Sequence, residues 1–326
     1  MCQLLLVVGT LWSSVACTSG GGAVSSISSH DNHHTPFQEW QILDTATGQP
    51  VSLDQWTLLL LQQEIIYLGE EHHNRFHIDA AITLLRRLQA EGRTPVLAME
   101  MFGWDGQAAL DQYLSDSDTT RQEFLEAVRW KQNWGGSYED YEPLVLLAKA
   151  QHWTVRALNP PKALVRSVAQ HGLAQAQSDP VMAEWGMKDE AIVDDPVYRA
   201  RILEQLQACH GGGDDRLYQT MYEASMVRDE AMAKTLVNRL NQIRAGTDSM
   251  AGPLVSYTGG GHIQYNLPVP KRVVRRLTGP ARQVSVYMTS FEVGRIEELQ
   301  EMIREKIADY LWLTPVSSQG PPRRCR

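Results

Sequence analysis

Residues 64–77 read EIIYLGEEHHNRFH. An unbroken apolar run, Ile65 to Leu68, is closed by Gly69 and then by two glutamates and three histidines within eight residues. A continuous apolar run bounded by a polar cluster reads as a strand buried on both faces, with the cluster at its end. Similar runs recur at Pro95–Met101 (PVLAMEM), Thr154–Leu158 (TVRAL), Pro253–Tyr257 (PLVSY) and Gln283–Met288 (QVSVYM). Between the first two strands, Asp79–Leu88 (DAAITLLRRL) carries apolar residues at helical spacing with a polar opposite face. Buried strands alternating with helices predict an α/β domain built on a mostly parallel sheet flanked by helices. From about residue 160 to 245 the pattern is almost wholly helical, including Leu217–Ile243, and reads as a helical insertion or cap. No internal repeat is visible.

The carboxyl ends of parallel strands lie on one edge of the sheet, where ligand crevices form. The first run delivers Glu70 and His72 there, the second Glu100, the third Asn159 before Pro160 and Pro161, and the fourth His262 after three glycines. Segments far apart in the chain thus send carboxylates and imidazoles to one rim, which predicts a site. Two glutamates and two histidines suit either a borderline divalent metal or an acid and a base around a substrate. Several other chemistries are absent. The GGGH stretch comes too late to be a dinucleotide loop, His73 and His77 have no glutamate between them in an HExxH frame, and no GxSxG elbow is present.

Composition narrows the classes further. The chain has 326 residues, 43% of them hydrophobic, enough for a substantial core. A net charge of −8 and a pI near 5.7 leave no basic footprint for nucleic acid. The leader Leu4–Ala16 (LLLVVGTLWSSVA) is too short to span a bilayer and ends in SVAC, which resembles a signal peptide with a lipobox. It departs from that pattern in having no Lys or Arg ahead of the apolar run and Ser14 where leucine is usual. The reading is a signal peptide over 1–16, a lipidated Cys17, a Ser/Gly-rich tether over 17–35, a domain over 36–315 and a disordered tail over 316–326. Cys209 and Cys325 are then the thiols left in the mature chain, and spacing does not pair them.

Five stretches, in order, carry a resemblance. LGEEHHNRFH (68–77), LAMEMF (97–102), NWGGSYEDYEPLVLLAKAQHWTVRALNPP (133–161), MVRDEAMA (226–233) and GGGHIQYNLPVPKR (259–272) resemble the motifs of ChaN-type haem-binding lipoproteins. That family sits in the superfamily of TIKI metalloproteases, TraB proteins and erythromycin-esterase-like enzymes. The resemblance carries the shared cluster onto Glu70, His72, Glu100 and His262, and further family positions onto Tyr141, Asn159 and Asp229. It implies haem as cofactor, a role in iron acquisition, and a homodimer enclosing two stacked haems. It also implies an iron held by tyrosine, with histidine and lysine of the partner chain near the propionates. Tyrosinate is a hard ligand suited to ferric iron. Tyr198 and Tyr222 of the helical block are the candidates, with Tyr218 beside them. An N-terminal lipid anchor, an outer-membrane location facing the periplasm, with Thr18 rather than Asp after the cysteine, and an outer-membrane haem receptor as partner complete the expectation. A second function class stands beside it: a metal-dependent hydrolase using Glu70, His72, Glu100 and His262 around a divalent ion and an activated water.

Overall fold

The computed structural model describes residues 37–209, 212, 214–246 and 251–318, all within the unit Thr35–Arg326. The expected signal peptide, Cys17, most of the tether and the end of the tail lie outside the described residues. No described helix is long and apolar enough to cross a membrane.

Eight strands form one sheet in the order β2-β1-β8-β7-β3-β6-β4-β5. These are β1 (Ile42–Asp44), β2 (Gln49–Val51), β3 (Ile65–Glu70), β4 (Thr94–Gly103), β5 (Val155–Asn159), β6 (Ala251–Gly259), β7 (Gln283–Ser290) and β8 (Tyr310–Thr314). From β8 to β5 neighbouring strands are parallel, and β1 and β2 add an antiparallel edge. The mostly parallel α/β sheet expected from the sequence is present, with three further strands. β1 and β2 are three residues each, joined by a tight turn in which Gly48 takes a φ of 70°. Segments that short carry no readable period.

Alternation along β3 divides the core. Ile66 and Leu68 face a layer with Leu97, Met99, Val255 and the helix Arg75–Ala90, which buries Ile78, Ala81, Leu84, Leu85 and Leu88. Those positions recur every three or four residues, so one face of the helix meets the sheet. Asn74 caps that helix by accepting the Phe76 N–H at 3.0 Å. Ile65 and Tyr67 face the opposite layer with Val96, Ala98, Leu254 and the Met232, Leu236 and Leu240 positions of the long helix Asp215–Ala245.

That long helix has two jobs along its length. Its carboxyl half covers a sheet face, while Ala224, Val227 and Ala231 pack against Leu164, Val168 and Met182 of the shorter helices between 160 and 185, and against Met187 just beyond them. It is capped by Asp214, whose carboxylate accepts the Leu217 N–H at 2.8 Å. The region expected to be helical is helical: Lys162–His171, Leu173–Ala176, Pro180–Glu184 and Pro196–Cys209 precede the long helix. Because the last half of that helix is a covering layer of the sheet itself, the block is only in part a cap. Cys209, at the end of its helix, is disulfide-bonded.

Candidate functional site

The strands run further at their carboxyl ends than the apolar runs predict. Glu70 is the last residue of β3 and pairs in register with Gly259 of β6. Glu100 lies inside β4, and Asn159 closes β5 against Gly103. The sheet register therefore sets the two glutamates, Asn159 and the Gly259–His262 turn beside one another.

Glu70 is 3% exposed and spends both oxygens inside the protein. Oε1 accepts from the Tyr141 hydroxyl at 2.9 Å and meets His72 Nδ1 at 2.8 Å, while Oε2 accepts from the Tyr257 hydroxyl at 2.6 Å. Burial raises its carboxyl above the usual range, against the pull of His72 and the two phenols. The His72 imidazole is held the other way. Burial alone would lower it, but the hydrogen bond to Glu70 and the charges of Glu100 and Glu70 raise it. Its side chain remains 42% exposed, with the ring edge-on to Trp134 at a centroid distance of 4.9 Å.

Glu100 is the centre of a second group. Oε1 accepts from Arg228 Nη2 at 2.6 Å and lies 3.2 Å from His262 Nε2, and Oε2 accepts the Gly259 N–H at 2.7 Å. Burial would raise this carboxyl, but His262, Arg228 and His72 together hold it well below the normal range. His262 Nδ1 lies 2.6 Å from Asp229 Oδ1, and the other Asp229 oxygen accepts the Tyr198 hydroxyl at 2.5 Å. Asn159 ties the group to the strand end, donating to the Glu100 carbonyl at 2.6 Å and accepting from Arg228 Nη2 at 3.2 Å.

Gly259 joins the two groups. A Cβ there would stand 2.7 Å from His72 Cε1 and 2.8 Å from Nε2, so only glycine lets the imidazole lie across the turn. The φ of this residue is −56°, within reach of any side chain, and the requirement is therefore one of space.

The structure thus brings together Glu70, His72, Glu100, His262, Tyr141, Asn159 and Asp229. Tyr257, Arg228 and Trp134 belong to the same site and were not singled out by the sequence. Arg228 stands next to Asp229 in MVRDEAMA and could have been read with it. Tyr257 lies two residues before Gly259, on the β6 face that meets Glu70, which becomes visible only with the register in hand. Glu71 turns away and accepts from Thr289 Oγ1 at 2.6 Å and Ser290 Oγ at 2.9 Å. His77 is buried, with Nδ1 accepting the Glu71 N–H at 3.0 Å, and burial lowers it to about 4.

The cluster does not fit the divalent metal that its composition allows. Among the described residues, no group of three or more His, Cys, Asp or Glu is arranged to hold an ion. The reason is chemical. Both ring nitrogens of His262 and all four oxygens of Glu70 and Glu100 are engaged within the protein, and Arg228 supplies beside Glu100 the positive charge that an ion would bring. Three carboxylates are set against Arg228 and two imidazoles in a self-satisfied network. A metal-dependent hydrolase has no ready ligand set here.

The tyrosine candidates are placed differently from a ligand poised for iron. Tyr198 and Tyr222 are buried and pack ring to ring at 5.6 Å. Tyr198 gives its hydroxyl to Asp229, and Tyr222 gives its own to Asp194 at 2.6 Å. Burial and those carboxylates push both phenols up, away from the phenolate that binds iron. Tyr218 is also buried.

Beside the cluster opens a cavity of about 360 Å³ lined by Trp134, Asn159, Pro160, Val165, Ala169 and Arg228, with Lys162 and Arg166 on its rim. Lys162 and Arg166 are one turn apart on the same helix, exposed, and in no ion pair among the described residues. An apolar wall with an uncompensated cationic rim suits a flat amphipathic anion.

A pH consequence follows from His262. Burial would lower it, but Glu100 and Asp229 raise it to about 9 from 6.5. The stabilisation it brings is complete below pH 6.5 and is lost as the pH climbs through about 9. Urea midpoints should therefore fall between pH 7 and pH 9.5, and His262→Gln should flatten that fall. An unchanged slope in the variant would remove His262 as its source.

Comparison with known proteins shows the family and the fold. The family model described as haem-binding uptake, Tiki superfamily, ChaN matches residues 58–273. The structure resembles that of ChaN of Campylobacter jejuni, described as showing cofacial haem binding. The TM-score is 0.63 at 19% identity, over 85% of this chain and 98% of that one. A weaker likeness, TM-score 0.42 at 14% identity, is to an open-conformation mutant of the erythromycin esterase EreC, over 77% of this chain and 76% of that one. No curated protein matches the sequence.

Proposed function

Since the chain belongs to the ChaN haem-binding uptake family of the Tiki superfamily, we propose that it is a haem-binding lipoprotein serving iron acquisition. The observation that carries this reading is the strand-end cavity with its apolar wall and the Lys162 and Arg166 rim. Haem carries two propionates on a flat apolar body, and such a rim pairs with carboxylates while Trp134, Pro160 and Val165 take the ring edge. His72, whose ring packs edge-on against the lining residue Trp134 at 4.9 Å, is the proposed iron ligand. Its Nδ1 is held by Glu70, its side chain is partly exposed, and no hydrogen bond to its Nε2 is recorded among the described residues. A carboxylate on the far nitrogen is the usual way a metal-ligating imidazole is oriented. Tyr198 or Tyr222 would first have to leave Asp229 or Asp194.

The cavity encloses only part of a porphyrin, so a second copy of the chain covering the rest is the natural assembly, and we propose a homodimer. Gel filtration after hemin addition tests both points. Hemin should travel with the protein at about one per chain, in a dimer-sized peak. Hemin eluting apart from the protein would refute the reading.

The lipid anchor is proposed on the SVAC leader, and an outer-membrane position facing the periplasm, with a haem receptor as partner, on the family. The disulfide at Cys209 is in keeping with an oxidising compartment. Cys17→Ser should move the protein from the membrane fraction to the soluble periplasmic fraction. Continued membrane association of a cleaved Cys17→Ser chain would rule the lipobox out.

A further inference from the structure

A second cavity, of about 390 Å³, lies beside the free edge of β5, against the carboxyl half of the long helix. It shares no lining residue with the cavity described above. Its walls include Trp104 and Trp185, two half-buried indoles with centroids 6.5 Å apart and planes inclined at 42°. Between the sheet edge and the helix stand two guanidinium groups, Arg156 and Arg239.

The arginines lack the compensation found elsewhere in the fold. Arg239 is in no ion pair among the described residues. Its Nε is buried without an acceptor, and the partner recorded for it is the Gln242 amide oxygen at 3.1 Å. Burial, and then the nearby charge of Arg156, disfavours its protonated form. Arg156 has a loose pairing at 3.7 Å with Asp111, a half-exposed carboxylate. Lys234, also on the lining, is neutralised by Glu190 at 2.7 Å, so the unbalanced charge belongs to the arginines. The Glu230 cluster differs in contact: there Arg272, Arg275 and Arg276 each have an oxygen of one buried carboxylate within 3.2 Å, whereas Arg239 has no carboxylate partner among the described residues. A buried donor without an acceptor is costly, and two like charges around a cavity add to the cost.

The sheet edge itself is already satisfied. Gln107 donates to the Val155 carbonyl at 3.0 Å and accepts the Ala157 N–H at 2.8 Å, occupying the place of a further strand. The cavity is therefore not an opening for strand addition. Trp104 is fixed in turn by its Nε1 donating to Thr235 Oγ1 at 2.9 Å. What remains unsatisfied is the pair of guanidiniums beside two indole faces.

We propose that this cavity binds a small organic anion, a carboxylate or its like on a planar apolar body, with Arg156 and Arg239 holding the anionic group and Trp104 and Trp185 flanking the body. Guanidinium is the group suited to a planar carboxylate, and a bound anion would remove both the orphaned donor and the mutual repulsion. The volume is in the range of small-ligand sites. The site is independent of the haem reading, because it uses none of the residues on which that reading rests.

Naphthalene-2-carboxylate is the probe, titrated by calorimetry into the full chain, with naphthalene-2-carboxamide as its uncharged match. The carboxylate should bind saturably, at least tenfold more tightly than the carboxamide. Arg239→Gln and Arg156→Gln should each weaken it at least tenfold, while Arg86→Gln, at an exposed arginine that lines neither cavity, leaves it unchanged. Thermal melting separates this role from a structural one. Relief of the Arg156–Arg239 repulsion should leave the melting temperature of Arg239→Gln equal to or above that of the parent. Absence of saturable binding to the parent overturns the proposal. So does equal affinity for acid and amide, undiminished binding by Arg239→Gln, or loss of binding in Arg86→Gln.

Discussion

Glu100→Ala lowers the stability of the folded chain by about 3–5 kcal/mol, the range for breaking a buried charge pair from one side. The expectation rests on what Glu100 leaves behind. Its carboxylate is 2% exposed and accepts from Arg228 and the Gly259 N–H, with His262 Nε2 in contact. Removing it strands a guanidinium and a backbone donor, takes away one of the two carboxylates that hold His262 charged, and opens a cavity under the turn. Each orphaned buried donor costs about 1–3 kcal/mol, more where it is charged. Tyr222→Phe supplies the comparison. It removes one hydroxyl that donates to a partly exposed Asp194, a loss of about 1 kcal/mol. Urea unfolding of the two variants with matched slopes measures the difference. A cost under about 1 kcal/mol for Glu100→Ala would mean the network relaxes around the gap, and Glu100 is not its keystone.

His72→Ala is expected to weaken hemin binding at least tenfold and to change the spectrum of what remains. The Glu70 oxygen that loses His72 keeps the Tyr141 hydroxyl at 2.9 Å, so folding should survive. Loss of the imidazole leaves the Lys162 and Arg166 rim intact, and residual binding should then come from propionate contacts and the apolar wall. His72→Tyr restores a ligand atom, a harder one that favours ferric iron, and should shift the spectrum without abolishing binding. Tyr198→Phe and Tyr222→Phe should keep the parent spectrum, since those hydroxyls are bound to Asp229 and Asp194. Loss of the band in either phenylalanine variant, with His72→Ala unaffected, would transfer the iron to the helical block.

The parts of the site legible in the sequence are those fixed by strand ends. Glu70, Glu100, Asn159 and His262 each follow or finish an apolar run, and parallel strands put such positions on one edge whatever the loops do. The sheet from β7 to β5 was legible for the same reason, since runs buried on both faces are hard to mistake. β1 and β2 were not, because strands of three residues carry no readable alternation, and the edge strand Gln49–Val51 is also largely exposed. The register of the long helix against the sheet was also hidden. Its rotation decides that Arg228 reaches Glu100 and that Asp229 reaches His262 and Tyr198, and helical periodicity alone leaves that rotation open. Tyr198 and Tyr222 looked available for iron because burial of a tyrosine hydroxyl depends on a tertiary partner that composition does not reveal. The metal reading had the same weakness: residue types permit a metal, but hydrogen bonds already made decide whether lone pairs remain.

Haem is proposed to sit at the strand-end cavity, with His72 on its iron and Lys162 and Arg166 on its propionates. A hemin titration of the full chain, followed in the Soret region and run in parallel on His72→Ala and on Lys162→Ala/Arg166→Ala, tests it most directly. A saturable Soret band near one haem per chain is expected, with an affinity loss of at least tenfold in the first variant and a smaller, salt-sensitive loss in the second. A parent chain that gives no saturable band, or variants that match it throughout, would contradict the claim.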